Sequence, residues 1–129
     1  MKISTVLLVD DDPDDREIFC QTFEEIDPSI QCITKATCTE AMTYLKARSD
    51  NFPDLVFLDL NLPAVNGLQC LERLKKLSML EKIRVVIYTT SKNPEDIEVT
   101  KKMGASFFLT KQGRLKELKV RLQSILNSQ

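Results

Sequence analysis

Histidine is absent from the 129 residues of this chain. A Cys/His zinc site is therefore excluded, as are Ser-His-Asp and Cys-His catalysis and histidine as a general base or phosphocarrier. Glycine is nearly absent too, and three residues cannot supply the Gly-rich phosphate loop of a dinucleotide-binding fold. The four cysteines, Cys20, Cys32, Cys38 and Cys70, contain no C-x-x-C pair, so reduced, partly buried thiols are expected. Neither sign of charge dominates: 18 basic and 19 acidic residues leave a net charge of −1. No global field attracts nucleic acid or anionic lipid. No apolar run approaches membrane-spanning length, and "MKISTVLLVDDD" is too briefly apolar to be a signal peptide. A cytoplasmic protein with neither nucleic acid nor membrane as a partner is expected. Its chemistry must come from carboxylates, hydroxyls, lysine and a metal ion.

What is present is an alternation. The length fits one domain able to bury a core, and the hydrophobic content of 43% is ordinary for a globular protein. Five short apolar runs rich in β-branched residues, Val6–Val9, Ile30–Thr34, Leu55–Leu60, Arg84–Tyr88 and Ser106–Thr110, read as strands. The first, third and fourth are nearly continuous in hydrophobicity, as central parallel strands covered on both faces should be. Between the runs lie helical stripes: Ile18, Phe19, Thr22, Phe23 and Ile26; Leu68, Leu71, Leu74 and Leu77; and Leu115, Leu118, Leu122, Ile125 and Leu126. Weaker helices are expected around Thr39–Lys46 and Asn93–Met103. Asn93-Pro94-Glu95-Asp96 supplies start signals for the latter and Gly104 its stop. Strict β-α alternation implies a parallel sheet with helices on both faces. The last helix runs nearly to Gln129, so no output domain is expected beyond 1–129.

Such sheets bind ligands beyond the carboxyl ends of their strands. The first run ends in Asp10-Asp11, the third in Asp59, the fourth in Thr89-Thr90 and the fifth in Thr110-Lys111. Three carboxylates, hydroxyls and one lysine would thus converge on one crevice. Like charges at close range do not all stay ionised unaided, so the trio calls for a cation. An all-oxygen donor set selects a hard ion, Mg²⁺ or Mn²⁺. Magnesium commonly completes its shell with phosphate, which points to phosphoryl chemistry, and a carboxylate can itself be the nucleophile. Asp59 is the candidate; its bland alternative is an aspartate capping the turn of "LNLPAVNG". Lys111 could pair with phosphoryl oxygens and Thr89 could donate its hydroxyl to one. The bland readings are a solvated loop charge and an ordinary strand threonine.

The acidic run "LLVDDDPDD" divides on the same logic. Asp10 and Asp11 close the first strand, Asp12 before Pro13 reads as a helix N-cap, and Asp14 and Asp15 occupy the first turn, where the helix dipole favours acids.

Taken together, "LLVDDDPDD", "LVFLDLNLPAVNG", "VVIYTTS" and "GASFFLTK" resemble the receiver domain of two-component response regulators over nearly the whole chain. The resemblance implies a doubly wound, flavodoxin-like (βα)₅ fold with strand order 2-1-3-4-5. It implies that Asp59 accepts phosphate from a histidine kinase or phosphotransfer protein, and that Asp10 and Asp11 hold Mg²⁺ with the backbone carbonyl of Asn61. Thr89 matches the family's switch hydroxyl, Lys111 its invariant lysine and Phe108 its switch aromatic. Asn61 and Ser91 match positions that tune loss of the phosphate. The output surface would include Lys101, Lys102 and Phe108, with an unspecified downstream protein as target and a monomer or weak homodimer as the assembly.

The chain departs from the family in two places. Gln112 stands where the lysine is usually followed by proline, often across a cis bond. Since cis costs about 2.5–4 kcal/mol before a non-proline residue, a trans or strained loop is expected there. Phe108 replaces the more usual tyrosine, which excludes signalling through a ring hydroxyl. Two rivals compete with the phosphoacceptor reading. A haloacid-dehalogenase-type phosphatase would need an acid two residues after its nucleophile, where this chain has Asn61. A degenerate receiver acting only as a binding module has Gln112 as its support.

Overall fold

A computed structural model describes residues 3–48, 52–77, 83–111 and 115–128. Five strands and five helices alternate: β1 Thr5–Val9, α1 Pro13–Ile26, β2 Gln31–Lys35, α2 Cys38–Lys46, β3 Leu55–Leu58, α3 Gly67–Lys75, β4 Arg84–Thr89, α4 Pro94–Lys102, β5 Phe107–Thr110 and α5 Leu115–Asn127. All strand pairs are parallel, in the order β2-β1-β3-β4-β5. This is the doubly wound, CheY-like flavodoxin fold that the resemblance implies.

The continuous apolar runs occupy the places their composition requires. Described residues of β1 and β3 are buried nearly end to end, and β4 is buried after its first residue, whereas edge strands β2 and β5 are mostly half-exposed. Alternate side chains of each strand feed opposite layers. Leu7, Val9, Val56, Leu58, Val85 and Ile87 pack with residues of α2 and α3. Val6, Leu8, Leu55, Phe57, Val86 and Tyr88 pack with Phe19 and Phe23 of α1 and Leu118, Leu122 and Ile125 of α5.

Helices α1 to α4 begin at side-chain caps. Asp12 Oδ1 accepts from the amides of Asp14 at 2.9 Å and Asp15 at 3.4 Å, with Pro13 at the first helical position. Asn93 and Pro94 do the same for α4, and Gly104 closes it at φ 98°, a left-handed conformation natural to glycine. An unexpected capping box, Asn66 with Gln69, opens α3.

Two expectations are corrected. Ile18, assigned to the buried stripe of α1, is exposed; the stripe is centred on Phe19, Thr22 and Phe23, and Ile18 lies at its margin. The cysteines are not free thiols: Cys20 is bonded to Cys32 and Cys38 to Cys70, with Cα–Cα separations of 5.7 Å in both. Spacing alone carries no sign of this. Winding sets Cys20 of α1 beside Cys32 of β2, and Cys38 of α2 beside Cys70 of α3.

Candidate functional site at the carboxyl edge of the sheet

Because every strand runs the same way, their carboxyl ends share one edge, and the ladder continues one residue past three of them. The Asp10 amide donates to Lys35 O at 3.0 Å, the Asp59 amide to Val9 O at 3.0 Å and the Lys111 amide to Thr89 O at 2.7 Å. Asp10, Asp59 and Lys111 are thus fixed by backbone before their side chains interact. Asp10 is further held by Arg16, whose Nη1 donates to its carbonyl at 2.8 Å.

At the centre stands the Lys111 ammonium. Its Nζ donates to Asp10 Oδ2 at 2.6 Å, Asp15 Oδ2 at 2.9 Å and Asp59 Oδ2 at 2.9 Å. The Lys111 side chain is 12% exposed, and those of Asp10 and Asp59 are 0% and 5% exposed. Burial raises the Asp10 pKa above the ordinary carboxylate value, although Lys111 acts against the shift. Burial alone would lower the Lys111 pKa, but its hydrogen bonds to Asp10, Asp15 and Asp59 outweigh that and hold it above the usual lysine value. The same ammonium lies 5.2 Å from the ring centroid of Tyr88. Burial pushes the Tyr88 phenol up to about 12, against the pull of Lys111.

One positive charge cannot balance this group. Asp11 is exposed, yet ligand oxygens of Asp10, Asp11 and Asp59 lie within 4.8 Å of one another. Three carboxylates and no nitrogen or sulfur make a donor set suited to a hard divalent cation, so the residues fit such an ion. Asp59 Oδ1 accepts from the Asn61 amide at 3.0 Å, and Asn61 Nδ2 reaches Thr90 Oγ1 at 3.3 Å. Asn61 is thus engaged as an amide where a phosphatase of the rival class needs an acid.

The remaining expected residues separate. Thr89 is fully buried at the end of β4, its Oγ1 accepting from the Ser91 amide at 3.5 Å. The Ser91 hydroxyl donates to Asp96 Oδ2 at 2.6 Å, so it is committed to the start of α4. Phe108 is half-buried against the α2–α3 layer and, with Lys101, lines a hollow of about 320 Å³ beside α4. Gln112, and with it the Lys111–Gln112 peptide, lies outside the described residues.

Sequence reading places Gly67 only in the turn towards the next helix and gives neither it nor Asp15 a part in the site. Asp15 was assigned to the helix dipole alone, yet its position three residues after the Asp12 cap carries it round to Lys111. At Gly67 a Cβ would sit 2.3 Å from Leu60 Cα and 2.4 Å from Asp59 O, so α3 begins pressed against the backbone of Asp59. A glycine eight residues after a site aspartate was the available signal.

A model of the response regulator receiver domain matches residues 6–123. The chain belongs to the response regulator receiver domains. It is a phosphoacceptor signalling module of the two-component type. Among curated relatives, the receiver is 30% identical over 124 residues to response regulator Rcp1 of Synechocystis, covering 93% of this chain and 84% of that protein. It is 35% identical over 108 residues to the nitrate/nitrite regulator NarL of Escherichia coli K12, covering 84% of this chain. It spans about half the length of NarL, 48%. The structure superposes on the phosphorylated cyanobacterial phytochrome response regulator RcpA with a TM-score of 0.85 and 28% identity, covering 95% of this chain and 91% of that one. The Mn²⁺-bound form of Rcp1 gives 0.82 and 29%, with the same coverage.

Proposed function

We propose that Asp59 is the phosphoacceptor of this receiver and that Lys111 is the cation that manages its charge. The observation that carries this is the single, largely buried ammonium bridging Asp59, Asp10 and Asp15. A carboxylate oxygen of Asp59 attacks phosphorus, the bond from phosphorus to the donor breaks, and the donor leaves with the electron pair. Lys111, released from Asp59 Oδ2, pairs with an equatorial phosphoryl oxygen, and Thr89 supplies a hydroxyl to another. Asp10, Asp11 and Asp59, with the Asn61 carbonyl, would hold Mg²⁺; bound there, the ion offsets charge between nucleophile and phosphoryl group. A Mn²⁺-bound relative of the same fold supports a divalent ion at this place. Asn61 and Ser91 set how long the phosphate persists, and Thr89 with Phe108 relays its presence to the α4–β5 surface that carries Lys101 and Lys102.

The donor is a histidine kinase or phosphotransfer protein and the recipient of the signal another protein, in the cytoplasm. Beyond accepting and losing its own phosphate, the receiver turns over no substrate. Incubation with acetyl phosphate and Mg²⁺ should add one phosphoryl mass to the wild-type chain and none to Asp59→Asn. Intact mass spectrometry reads both, and an unmodified wild type under Mg²⁺-replete conditions would refute the assignment.

A further inference from the structure

The site above leaves one charged surface unused. On the outer side of α2, Thr39 and Thr43 are exposed one helical turn apart, and each borders two hollows. The first, about 440 Å³ between α2 and α3, carries Lys46, Arg73 and Lys76 around an apolar floor of Met42 and Leu77. The second, about 430 Å³ towards β2, carries Lys35, Arg48, Tyr44 and Glu40. Of the described charged residues lining the two, five are basic and one acidic, in a chain whose 18 basic and 19 acidic residues nearly cancel. The concentration is therefore local.

Lys46 and Arg73 lie in the last turns of their helices, where cations suit the helix dipole. That accounts for neither Lys35 nor Arg48, which approach the Tyr44 ring at 5.3 Å and 5.1 Å from its centroid. The ring face attracts cations and holds these two beside one another. Lys76 meets Glu72 only at 3.8 Å with both well exposed, a contact that neutralises little.

We infer that the α2–α3 face is a docking surface for an acidic segment of a partner protein, lying along α2 over the threonine ridge with its carboxylates in both hollows. Two adjoining hollows around a neutral ridge match an elongated polyanion better than one compact ion, and Met42 and Leu77 offer a place for an apolar residue within it. The inference is independent of the phosphoacceptor assignment, because none of these residues belongs to the Asp59 site.

The test is a titration of the full, ¹⁵N-labelled chain with a short poly-glutamate peptide, followed by NMR. Amide shifts should concentrate in residues 37–48 and 73–77. Affinity should fall roughly tenfold as salt shortens the screening length, and at least as far in the double variant K46E/R73E. That variant should keep the wild-type circular dichroism spectrum and urea midpoint, which shows that it is folded. Shifts centred elsewhere, or undiminished binding by K46E/R73E, would overturn the inference. Equal shifts with inorganic phosphate would overturn it in favour of a small-anion site. Self-association in sedimentation that K46E/R73E abolishes would overturn it in favour of a second copy of the chain.

Discussion

At the scale of single residues the site is a problem of charge in little water. Lys111 is the cation that Asp10 and Asp59 share, and deleting one partner of a buried ion cluster is costly because the survivors stay behind. Lys111→Met should lower the stability of the metal-free receiver by about 3 kcal/mol, read from urea midpoints. The deficit should shrink in Mg²⁺ and at lower pH, where a carboxyl can take a proton instead. Tyr88 gives a second signature. Its phenol is pushed up to about 12, so between pH 10 and that value the unfolded chain has lost a proton that the folded chain keeps. Stability is therefore complete below pH 10 and falls as pH rises, at about 1.4 kcal/mol per unit from this group. The raised pKa of Lys111 acts in the same direction. Tyr88→Phe should flatten the alkaline slope between pH 10 and 12 without abolishing it.

At the scale of elements, the start of α3 decides how rigidly Asp59 is held. The Asn66–Gln69 capping box and the Gly67 amide bonded to Leu60 O at 3.0 Å dock the helix on the loop that follows β3. Ala64 in the same loop takes φ 60°, a left-handed conformation that costs a non-glycine residue roughly 1 kcal/mol. Gly67→Ala would drive its Cβ into backbone atoms of Leu60 and Asp59, which do not yield as a flexible side chain does. It should cost about 1–3 kcal/mol and slow phosphorylation by acetyl phosphate, whereas a purely structural role would leave the rate unchanged. Helices α1 and α4 were legible at their starts because each opens with a side chain that caps it, at Asp12-Pro13 and Asn93-Pro94. Strand limits differ by a residue or two, since Leu60 lies beyond the end of β3 and Ser106 before the start of β5.

At the scale of the whole molecule, the two disulfides tie together segments 12 and 32 residues apart. On the loop-entropy account they stabilise by about 3 and about 4 kcal/mol. Reduction should lower the urea midpoint accordingly, with Cys70→Ala reproducing the larger part. Thiol counting should find Cys20 and Cys32 reducible in the native state, and Cys38 and Cys70, at 1% and 0% exposure, reducible only after unfolding. A reducing cytosol keeps such thiols open, so the paired form belongs to oxidising conditions.

The sequence by itself determined the alternation, the central position of β1, β3 and β4, and the strand ends that carry Asp10, Asp59, Thr89 and Lys111. These follow from hydrophobic period and from turn and cap chemistry, which act over a few neighbouring residues. Only the tertiary structure decided that Asp15 shares the lysine, that Gly67 abuts Asp59, that Ser91 is committed to α4 and that the cysteines pair. Each of those depends on how far a helix rotates and where it docks on the sheet. Docking is set by packing among residues distant in the chain, and no local pattern records it.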